Sequence, residues 1–483
     1  MKKKFRASLS LTLALTLALM LSLTGCGPKG SASSSAAESD PAVSSSASSG
    51  DASGSGQEDG RLETIDFTWQ PKVYSDYQKQ GDGEGWGPEM EQLYYDSVDA
   101  IMAGAEAVPC PGPEYYGNLM PLLQSNFPVA VKVLTNFEYR DGMVYFTYAC
   151  PDAEREWTIR QFTKRIEDLI EGTVYKGDTP TMAALALYYN FVSTLNYDNE
   201  AMLDSTGSSD VTPYRALMTG EGICQSFGPA YAYLCMQMGI NAVEANGLDE
   251  GDHTAHSWTL LELNGHHYMA DPTFEASEPE IGLIHFGMNG EQRMSMGSYP
   301  VRNITLGFNV AAADGLDLTD DSFSPLWGLQ QVYRMDRTPK GMVVRGVSDL
   351  CELSEQDVIP IEDGKTLTVE HMSPWEVEMD RMGPEYADLT YSVWSASGYE
   401  IAILDNGEAW IEGEDFDGPA NCWVSPQTGL MMDIEGKGGW ELHPEPDGTL
   451  IIKGADSSVT EKRLPKGDIS KYADKFTEYM DTM

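Results

Sequence analysis

The dipeptide Asn264-Gly265 constrains the fold more than any other feature, because it is a strong signal for a two-residue β-hairpin turn. It separates two strand-like runs, His-Ser-Trp-Thr-Leu-Leu-Glu-Leu at 256–263 and His-His-Tyr-Met-Ala-Asp at 266–271. Pro272 follows the second run and would end that strand. The sequence therefore predicts an antiparallel hairpin across these residues.

The turn also predicts the register of this hairpin. Leu263 would face His266, and Asp271 would then lie opposite Trp258. His256 and Asp271 become diagonal neighbours on one face of the sheet, with backbones about 7–8 Å apart and side chains within reach. A slip of one residue would place them on opposite faces, so the register is a checkable prediction.

A helix with a cysteine in its first turn is predicted upstream of the hairpin. Residues 224–238 show the apolar spacing of an amphipathic helix. In its first turn the helix dipole and unpaired N–H groups would lower the pKa of the Cys224 thiol and could hold an oxyanion. Gly220 and Gly222 allow a sharp approach to the helix. Cys235 lies on the apolar face and is expected in the core.

Cys224, His256 and Asp271 supply a thiol, an imidazole and a carboxylate, the groups that nucleophilic acyl transfer requires. The thiolate would attack, the imidazole would take and return the proton, and the carboxylate would orient the imidazole. Three nearby histidines could serve as the base in principle, but the predicted register favours His256 and gives the others solvated or structural roles. These three are His253, His266 and His267.

The order of these motifs resembles the transglutaminase-like superfamily, which shares a papain-like Cys-His-Asp arrangement. The matching motifs are Gly-x-Cys before the helix, His-x-Trp in the first strand and Asp-Pro-Thr after the second, with lead-in runs at 190–198 and 213–217. The resemblance covers about residues 176–305. It implies that Cys224 is the nucleophile, His256 the base and Asp271 its orienting partner.

The sequence departs from this family at a few neighbouring positions. Thr259 and Phe274 stand where members often have Asn and Trp, and Ser226-Phe227 follows the Cys-x pair where Gly and an aromatic residue are frequent. The three catalytic positions themselves are intact. Because the superfamily includes transglutaminases, peptidases and members without activity, the fold does not specify the reaction.

The N-terminus predicts an exported and anchored protein. Residues 1–25 have the basic, apolar, small-residue order of a signal peptide, and Cys26 after Thr-Gly resembles a lipoprotein box in which this cysteine is lipidated. A membrane-spanning anchor is the alternative. In residues 31–60, 22 of 30 residues are Ser, Ala or Gly, which predicts a disordered tether over 26–60. We expect a membrane lipoprotein on the extracytoplasmic face.

Composition limits the partners. The formal net charge of −44 makes nucleic acid an improbable ligand, because phosphate binding needs a basic surface, and favours solubility or cationic peptides. Neither an EF-hand loop nor a Cys-x-x-Cys zinc pattern is present, so no metal or cofactor is expected. Seven cysteines, one of them the lipidation candidate, do not form a disulfide framework and leave room for at most two disulfides if Cys224 stays reduced.

The remaining chain predicts an α+β architecture with several domains. Residues 61–175 are expected to form an N-terminal α+β extension that packs on the transglutaminase-like domain at 176–305. Residues 306–483 carry short strand-like runs separated by turn dipeptides and are expected to form a C-terminal all-β domain with a closing helix. Six of the ten tryptophans lie there: Trp327, Trp375, Trp394, Trp410, Trp423 and Trp440.

Two functions are compatible with these features. The first is a surface-anchored cysteine enzyme that acts on amide bonds of peptides or proteins through a thioester. Hydrolysis is favoured over cross-linking, since water outcompetes amines that are not positioned. The second is a non-enzymatic envelope module with a structural triad, whose C-terminal tryptophans bind wall glycan or protein, although large aromatics usually serve as core. The sequence does not indicate an oligomeric state.

Overall fold

The computed structural model describes residues 62–80, 85–204, 206–297, 299–307, 311–348, 357–396, 399–404, 406–413, 416–425, 429–434, 438–454, 462–465 and 467. The predicted signal peptide, Cys26, the predicted tether, Cys351 and the predicted closing helix around Tyr472 lie outside these residues. Within the described ranges, no helix has both the length and the apolar character needed to cross a membrane.

The chain divides into two compact units. The first comprises Met1–Ile281, His285–Ser324 and Pro360–Lys365, and the second comprises Gly282–Ile284, Pro325–Ile359 and Thr366–Met483. All three candidate catalytic residues belong to the first unit. The predicted N-terminal extension belongs to the same unit as the residues that follow it.

The first unit is a mixture of helices and strands, as the α+β prediction requires. Several helices begin with the signals that the sequence carries: Thr179 accepts a hydrogen bond from Met182 and precedes Pro180, and Thr212 precedes Pro213 in the same way. The helices are Asp76–Lys79, Pro88–Ala103, Pro113–Asn126, Ala130–Val133, Asp152–Glu171, Pro180–Val192, Asn199–Leu203, Pro213–Thr219, Cys224–Gln237, Pro272–Glu275 and Gly290–Ser295.

A five-stranded antiparallel sheet organises the first unit around the predicted hairpin. One face of the sheet is closed by a buried apolar cluster that includes Trp258, Leu260, Met269 and Tyr299. The strands, in spatial order, are Ala311–Ala312, Thr305–Leu306, Ala242–Leu248, Ala255–Leu263 and His266–Ala270. A separate three-stranded sheet contains Ala107–Pro109, Met143–Tyr148 and Leu134–Arg140, and a short parallel pair joins Asn196–Tyr197 to Glu221–Gly222.

The N-terminal segment of the first unit is attached to the helix Cys224–Gln237, hereafter the cysteine helix. The indole N–H of Trp69 donates a hydrogen bond of 2.6 Å to the Tyr233 hydroxyl. The Gln70 backbone N–H donates to the Gln237 side chain at 2.9 Å, and the Gln237 amide donates back to the Gln70 carbonyl at 2.7 Å. These contacts fix the C-terminal half of the cysteine helix.

The second unit is mostly, but not wholly, β. A four-stranded sheet has the order Leu329–Thr338, Gly341–Ser348, Thr366–Met372 and Asp357–Pro360. An eight-stranded antiparallel meander follows and nearly closes into a barrel, since the Gly467 N–H beyond its last strand donates to the Val393 carbonyl in its first. Its strands are Ser392–Ala396, Tyr399–Ile403, Glu408–Gly413, Phe416–Ser425, Gly429–Ile434, Gly438–Pro444, Thr449–Gly454 and Lys462–Pro465.

The all-β prediction for this region missed two helices, Pro374–Met382 and Pro384–Ala387. The first begins with a complete capping box, in which Ser373 accepts a hydrogen bond from the Glu376 N–H and the Glu376 carboxylate accepts from the Ser373 N–H. The Ser-Pro-Trp-Glu sequence was thus a helix signal that the strand-like runs around it obscured.

The six C-terminal tryptophans have different environments. Trp375 and Trp394 are buried in the core of the meander, and Trp327, Trp410 and Trp440 are half-buried. Trp423 is 49% exposed and lies next to buried Cys422 on its strand, which directs it to the outer face of the sheet. The core interpretation therefore holds for Trp375 and Trp394, Trp410 and Trp440 pack partly buried against core clusters, and Trp423 does not fit it.

Candidate active site

The predicted hairpin forms with the predicted register. Leu263 pairs with His266, and Thr259 pairs with Ala270. Asn264 and Gly265 have φ values of 51° and 78°, the left-handed conformation that this turn requires. The register brings the second strand to its end directly before Asp271.

His256 and Asp271 form a buried, hydrogen-bonded dyad. The imidazole Nε2 lies 2.6 Å from the Asp271 Oδ2 atom, and both side chains are fully buried. His256 stacks on Trp258 with ring centroids 5.7 Å apart, which places the two on one face of the strand. Because the carboxylate engages Nε2, the proton at that position is fixed and Nδ1 is the nitrogen that can act as a base.

Asp271 is held by more than the histidine. Its Oδ1 atom accepts hydrogen bonds from the backbone N–H groups of Thr273 and Phe274, each at 3.1 Å, so the carboxylate caps the short helix Pro272–Glu275. Burial opposes ionisation, but the charge and hydrogen bond of His256, followed by the charge of Arg293, outweigh it and hold the pKa of Asp271 well below its usual range. The dyad therefore carries an anionic carboxylate.

Arg293 completes the surroundings of the dyad. Its Nη2 atom lies 3.4 Å from the Asp271 Oδ2 atom, and its side chain is fully buried. The guanidinium carbon lies 4.5 Å from the Trp258 ring centroid, 4.6 Å from that of Tyr299 and 5.0 Å from that of Phe274. We call these three rings the aromatic cage.

The aromatic cage also contacts the imidazole. Phe274 stacks on His256 with centroids 4.6 Å apart and planes inclined by 18°, and the Tyr299 centroid lies 5.7 Å away. Phe274 stands where the resemblance to transglutaminase-like proteins would lead one to expect Trp. The stacking shows that a phenyl ring supports the imidazole at this position.

A second buried layer fixes the backbone of Asp271. The Tyr188 hydroxyl lies 3.0 Å from the Asp271 carbonyl and 3.3 Å from the Glu275 carboxylate, and is placed to donate to either. The His285 backbone N–H donates to the same carboxylate at 2.9 Å, and the Asp271 N–H donates to the His285 carbonyl at 2.9 Å. This network joins the helix Pro180–Val192 to the end of the hairpin.

Cys224 is the first residue of the cysteine helix, as predicted, and is 5% exposed. The approach to the helix depends on glycine: Gly220 has a φ of 75°, and a Cβ atom there would lie 2.2 Å from the Thr194 carbonyl oxygen. A Cβ atom at Gly222 would lie 2.5 Å from the Ser226 side chain. Gly220 is therefore required by its backbone conformation and by close packing, and Gly222 by close packing alone.

The cysteine helix packs directly against the strand that carries His256. A Cβ atom at Gly228 would lie 2.8 Å from the Trp258 carbonyl oxygen, and the Thr259 hydroxyl donates to the Gly228 carbonyl at 2.7 Å. Cys224 lies one turn before Gly228, about 6 Å along the helix, and His256 lies two residues before Trp258, about 6.6 Å along the strand.

Chain connectivity fixes the direction of the helix along that strand. The helix ends at Gln237 and leads into Ala242, which pairs with Leu261 at the far end of the His256 strand. The first turn of the helix is therefore directed toward the other end, and Cys224 lies level with His256. The structure thus joins His256 to Asp271 directly and brings Cys224 to the same end of the strand.

The other candidate histidines have different environments. His267 Nδ1 lies 2.7 Å from the Tyr77 hydroxyl, and His266 lies 3.6 Å from Asp320. His253 is exposed in the loop after a turn, with a φ of 59°. Throughout the described ranges, no group of three or more His, Cys, Asp or Glu side chains is arranged to hold a metal ion. None of the five described cysteines forms a disulfide with another of them: Cys110, Cys150, Cys224, Cys235 and Cys422.

The sequence interpretation did not identify Arg293, Tyr188, Glu275 or His285. Arg293 follows Asp271 by about twenty residues and belongs to no motif, so only the fold brings it to the dyad. A local signal did exist for its helix, since Asn289 caps Gly290–Ser295 and accepts a hydrogen bond from the Gln292 N–H.

No family model matches the sequence, and no curated protein matches it. Solved structures with partial similarity include a candidate cysteine protease from Cytophaga hutchinsonii, with 15% identity and a TM-score of 0.19, over 24% of this chain and 37% of that chain. They also include a TGase, with 13% identity and a TM-score of 0.21, over 31% of this chain and 47% of that chain. The chain thus spans less than half the length of either structure.

Proposed function

We propose that Cys224, His256 and Asp271 form the catalytic triad of a transglutaminase-like cysteine enzyme that cleaves amide bonds of peptide or protein substrates. The observation that carries this proposal is the buried contact of 2.6 Å between His256 Nε2 and the anionic Asp271, at the end of a strand against which the Cys224 helix packs. A fully buried, charged dyad of this kind is costly to fold, which favours a functional reason for it.

The chemistry follows the roles of the three groups. His256 Nδ1 takes the thiol proton, and the Cys224 thiolate attacks the substrate carbonyl to form a carbon–sulfur bond. The imidazolium returns the proton to the leaving amine, and the product is a thioester. Water then attacks the thioester, His256 takes its proton, and the carboxylic acid leaves as the thiol is restored. Asp271 holds the imidazole in the productive tautomer throughout.

Hydrolysis is favoured over transfer to an amine, because water reaches the thioester unless a bound amine is positioned to compete. If Cys26 is lipidated, as the sequence predicts, this site lies on the extracytoplasmic face of a membrane. Peptides of the cell envelope are then the available substrate class.

A peptide-cleavage assay tests the proposal. The full chain is incubated with a mixture of acyl-blocked peptides, with and without a labelled primary amine, and products are followed by mass spectrometry. We expect cleavage with new carboxyl ends and an acyl adduct on Cys224 in the wild type, and neither in the Cys224→Ala variant. If amine incorporation exceeds hydrolysis, the activity is that of a transglutaminase and not of a hydrolase.

Cys235→Ala is the matched control, because Cys235 lies buried in the same helix three turns further on. It should retain the full activity of the wild type. Absence of any Cys224-dependent product, and of any adduct with activated acyl esters, would contradict the proposal.

Exposed Trp423 favours one alternative, a non-enzymatic module that binds wall material through the outer face of the C-terminal sheet. Aromatic platforms bind sugars by stacking, and Trp423→Ala would then abolish retention on purified cell wall while Trp394→Phe, a core change, would not. Equal retention of wild type and Trp423→Ala would contradict this alternative.

A further inference from the structure

We propose that Arg293 is a positioning residue of the dyad: its buried cation keeps Asp271 ionised and limits the basicity of His256. The proposal rests on the triad of the proposed function. Arg293 acts through Asp271, whose Oδ2 atom it shares with His256.

The interatomic distances place the positive charge of Arg293 close to the imidazole of His256. The Nη2 atom of Arg293 lies 3.4 Å from the Asp271 Oδ2 atom, and that oxygen lies 2.6 Å from His256 Nε2. The guanidinium and the imidazole are therefore at most about 6 Å apart, with no water-accessible surface on either side chain or on the carboxylate. Charges at this distance interact strongly when solvent does not screen them.

The aromatic cage holds the guanidinium in place. Trp258, Tyr299 and Phe274 surround it at 4.5–5.0 Å, and the same three rings lie 4.6–5.7 Å from the imidazole. The faces of these rings attract a cation, which offsets part of the cost of its burial. One cage thus fixes both the base and the cation that regulates it.

The other titratable groups around the dyad do not replace Arg293. His285 faces Asp271 from the following segment, Tyr188 contacts the Asp271 carbonyl from the helix Pro180–Val192, and Glu275 is bonded to that tyrosine. Cys224 approaches from the cysteine helix. None of these four groups is a permanent cation, whereas Arg293 supplies a positive charge that does not depend on pH.

The electrostatic consequence has a definite sign. A cation close to the imidazole disfavours the imidazolium, so its removal raises the pKa of His256. Two unit charges about 6 Å apart at an effective dielectric constant of about 20 interact by about two pKa units. The Asp271 carboxylate, deprived of the cation, protonates at a higher pH as well.

The experiment is a histidine NMR titration of the full chain in a Cys224→Ala background, where His256 titrates without the thiol. Variants Arg293→Gln and Arg293→Lys are compared with Arg302→Gln, which removes an exposed arginine. We expect Arg293→Gln to raise the pKa of His256 by about two units, and Arg293→Lys and Arg302→Gln to leave it within about half a unit of the starting value.

The folding and the His256 titration of the two Arg293 variants together distinguish a role of the charge from a role in packing. If Arg293→Gln does not fold while Arg293→Lys folds with the original His256 titration, the charge is required and the proposal stands. If Arg293→Gln folds with an unchanged titration, if Arg293→Lys shifts it as the glutamine does, or if both fail to fold, Arg293 serves packing and the proposal is wrong. The titration needs no turnover, so loss of the proposed function would leave this result interpretable.

Discussion

At Gly228 the cysteine helix lies so close to its sheet that an alanine there should separate the two. A Cβ atom at this position would lie 2.8 Å from the Trp258 carbonyl oxygen, 2.9 Å from its Cα and 3.0 Å from its carbonyl carbon. These are backbone atoms of a central strand and cannot rotate away. The helix would have to retreat by roughly 0.6 Å, the difference between 2.8 Å and the 3.4 Å at which ordinary contact begins.

The stability change combines two opposing effects. Alanine favours a helix interior over glycine by about 1 kcal/mol. Overpacking against fixed backbone costs about 1–3 kcal/mol, and weakening the hydrogen bond from Thr259 to the Gly228 carbonyl costs about 1 kcal/mol more. We therefore expect Gly228→Ala to lower the free energy of unfolding by about 1–3 kcal/mol and to move Cys224 away from His256.

Gly117→Ala is the matched control, because Gly117 is also inside a helix but a Cβ atom there meets no atom within 4 Å. It should raise the free energy of unfolding by about 0.5–1 kcal/mol. Urea denaturation measures both variants, and alkylation of Cys224 by iodoacetamide reports its activation. If Gly228→Ala were as stable as Gly117→Ala and kept wild-type alkylation, the packing argument for the position of Cys224 would be refuted.

Three further predictions concern single side chains. Asp271→Asn should reduce Cys224-dependent turnover by about 10³-fold or more, since the amide can donate to Nε2 and shift the imidazole proton to Nδ1; unchanged turnover would exclude the dyad from catalysis. Burial raises the pKa of Glu244 to about 7, against the hydrogen bonds from Ser257 and Asn246. The native state therefore keeps a proton that the unfolded chain releases above about pH 4.5, and the free energy of unfolding should fall by about 1–3 kcal/mol between about pH 4.5 and 7. Urea titrations should show that Glu244→Gln removes this fall, and an equal pH dependence in the variant would contradict it. Ser373→Ala should destabilise the second unit by about 1 kcal/mol through loss of the capping box, as measured by thermal unfolding, and an unchanged midpoint would show that the cap contributes nothing.

The hairpin could be predicted from sequence because its information is local. Asn264-Gly265 specifies one turn, and the turn specifies every cross-strand pair up to Thr259 and Ala270. The meeting of His256 and Asp271 follows from that register. The start of the cysteine helix was predictable for the same reason, since glycines and apolar periodicity mark it within a few residues.

Arg293 could not be predicted, because its contact with Asp271 depends on how the chain folds back after the hairpin. Its helix is short, its neighbours Gln292 and Met294 carry no pattern, and a buried arginine is improbable from composition. The helix at Pro374 has a different cause: its capping box is a local helix signal, but the strand-like runs on both sides of it favour a strand. Long-range packing and competing local signals thus account for these two omissions.

The pH dependence of Cys224 alkylation reports whether the thiol and the His256–Asp271 dyad work together. Iodoacetamide is suited to the measurement because Cys224 is only 5% exposed and a small reagent is needed. Peptide mapping by mass spectrometry separates Cys224 from the other thiols, and rates are measured from pH 4 to 10 in the wild type and in His256→Ala.

We expect wild-type Cys224 to react at mildly acidic pH at least about tenfold faster than a free cysteine with a pKa of about 8.5, and we expect His256→Ala to remove this advantage. If wild-type Cys224 instead reacts at the rate of an ordinary thiol at each pH, and His256→Ala reacts at the same rate, then Cys224 and the His256–Asp271 dyad do not act as one site.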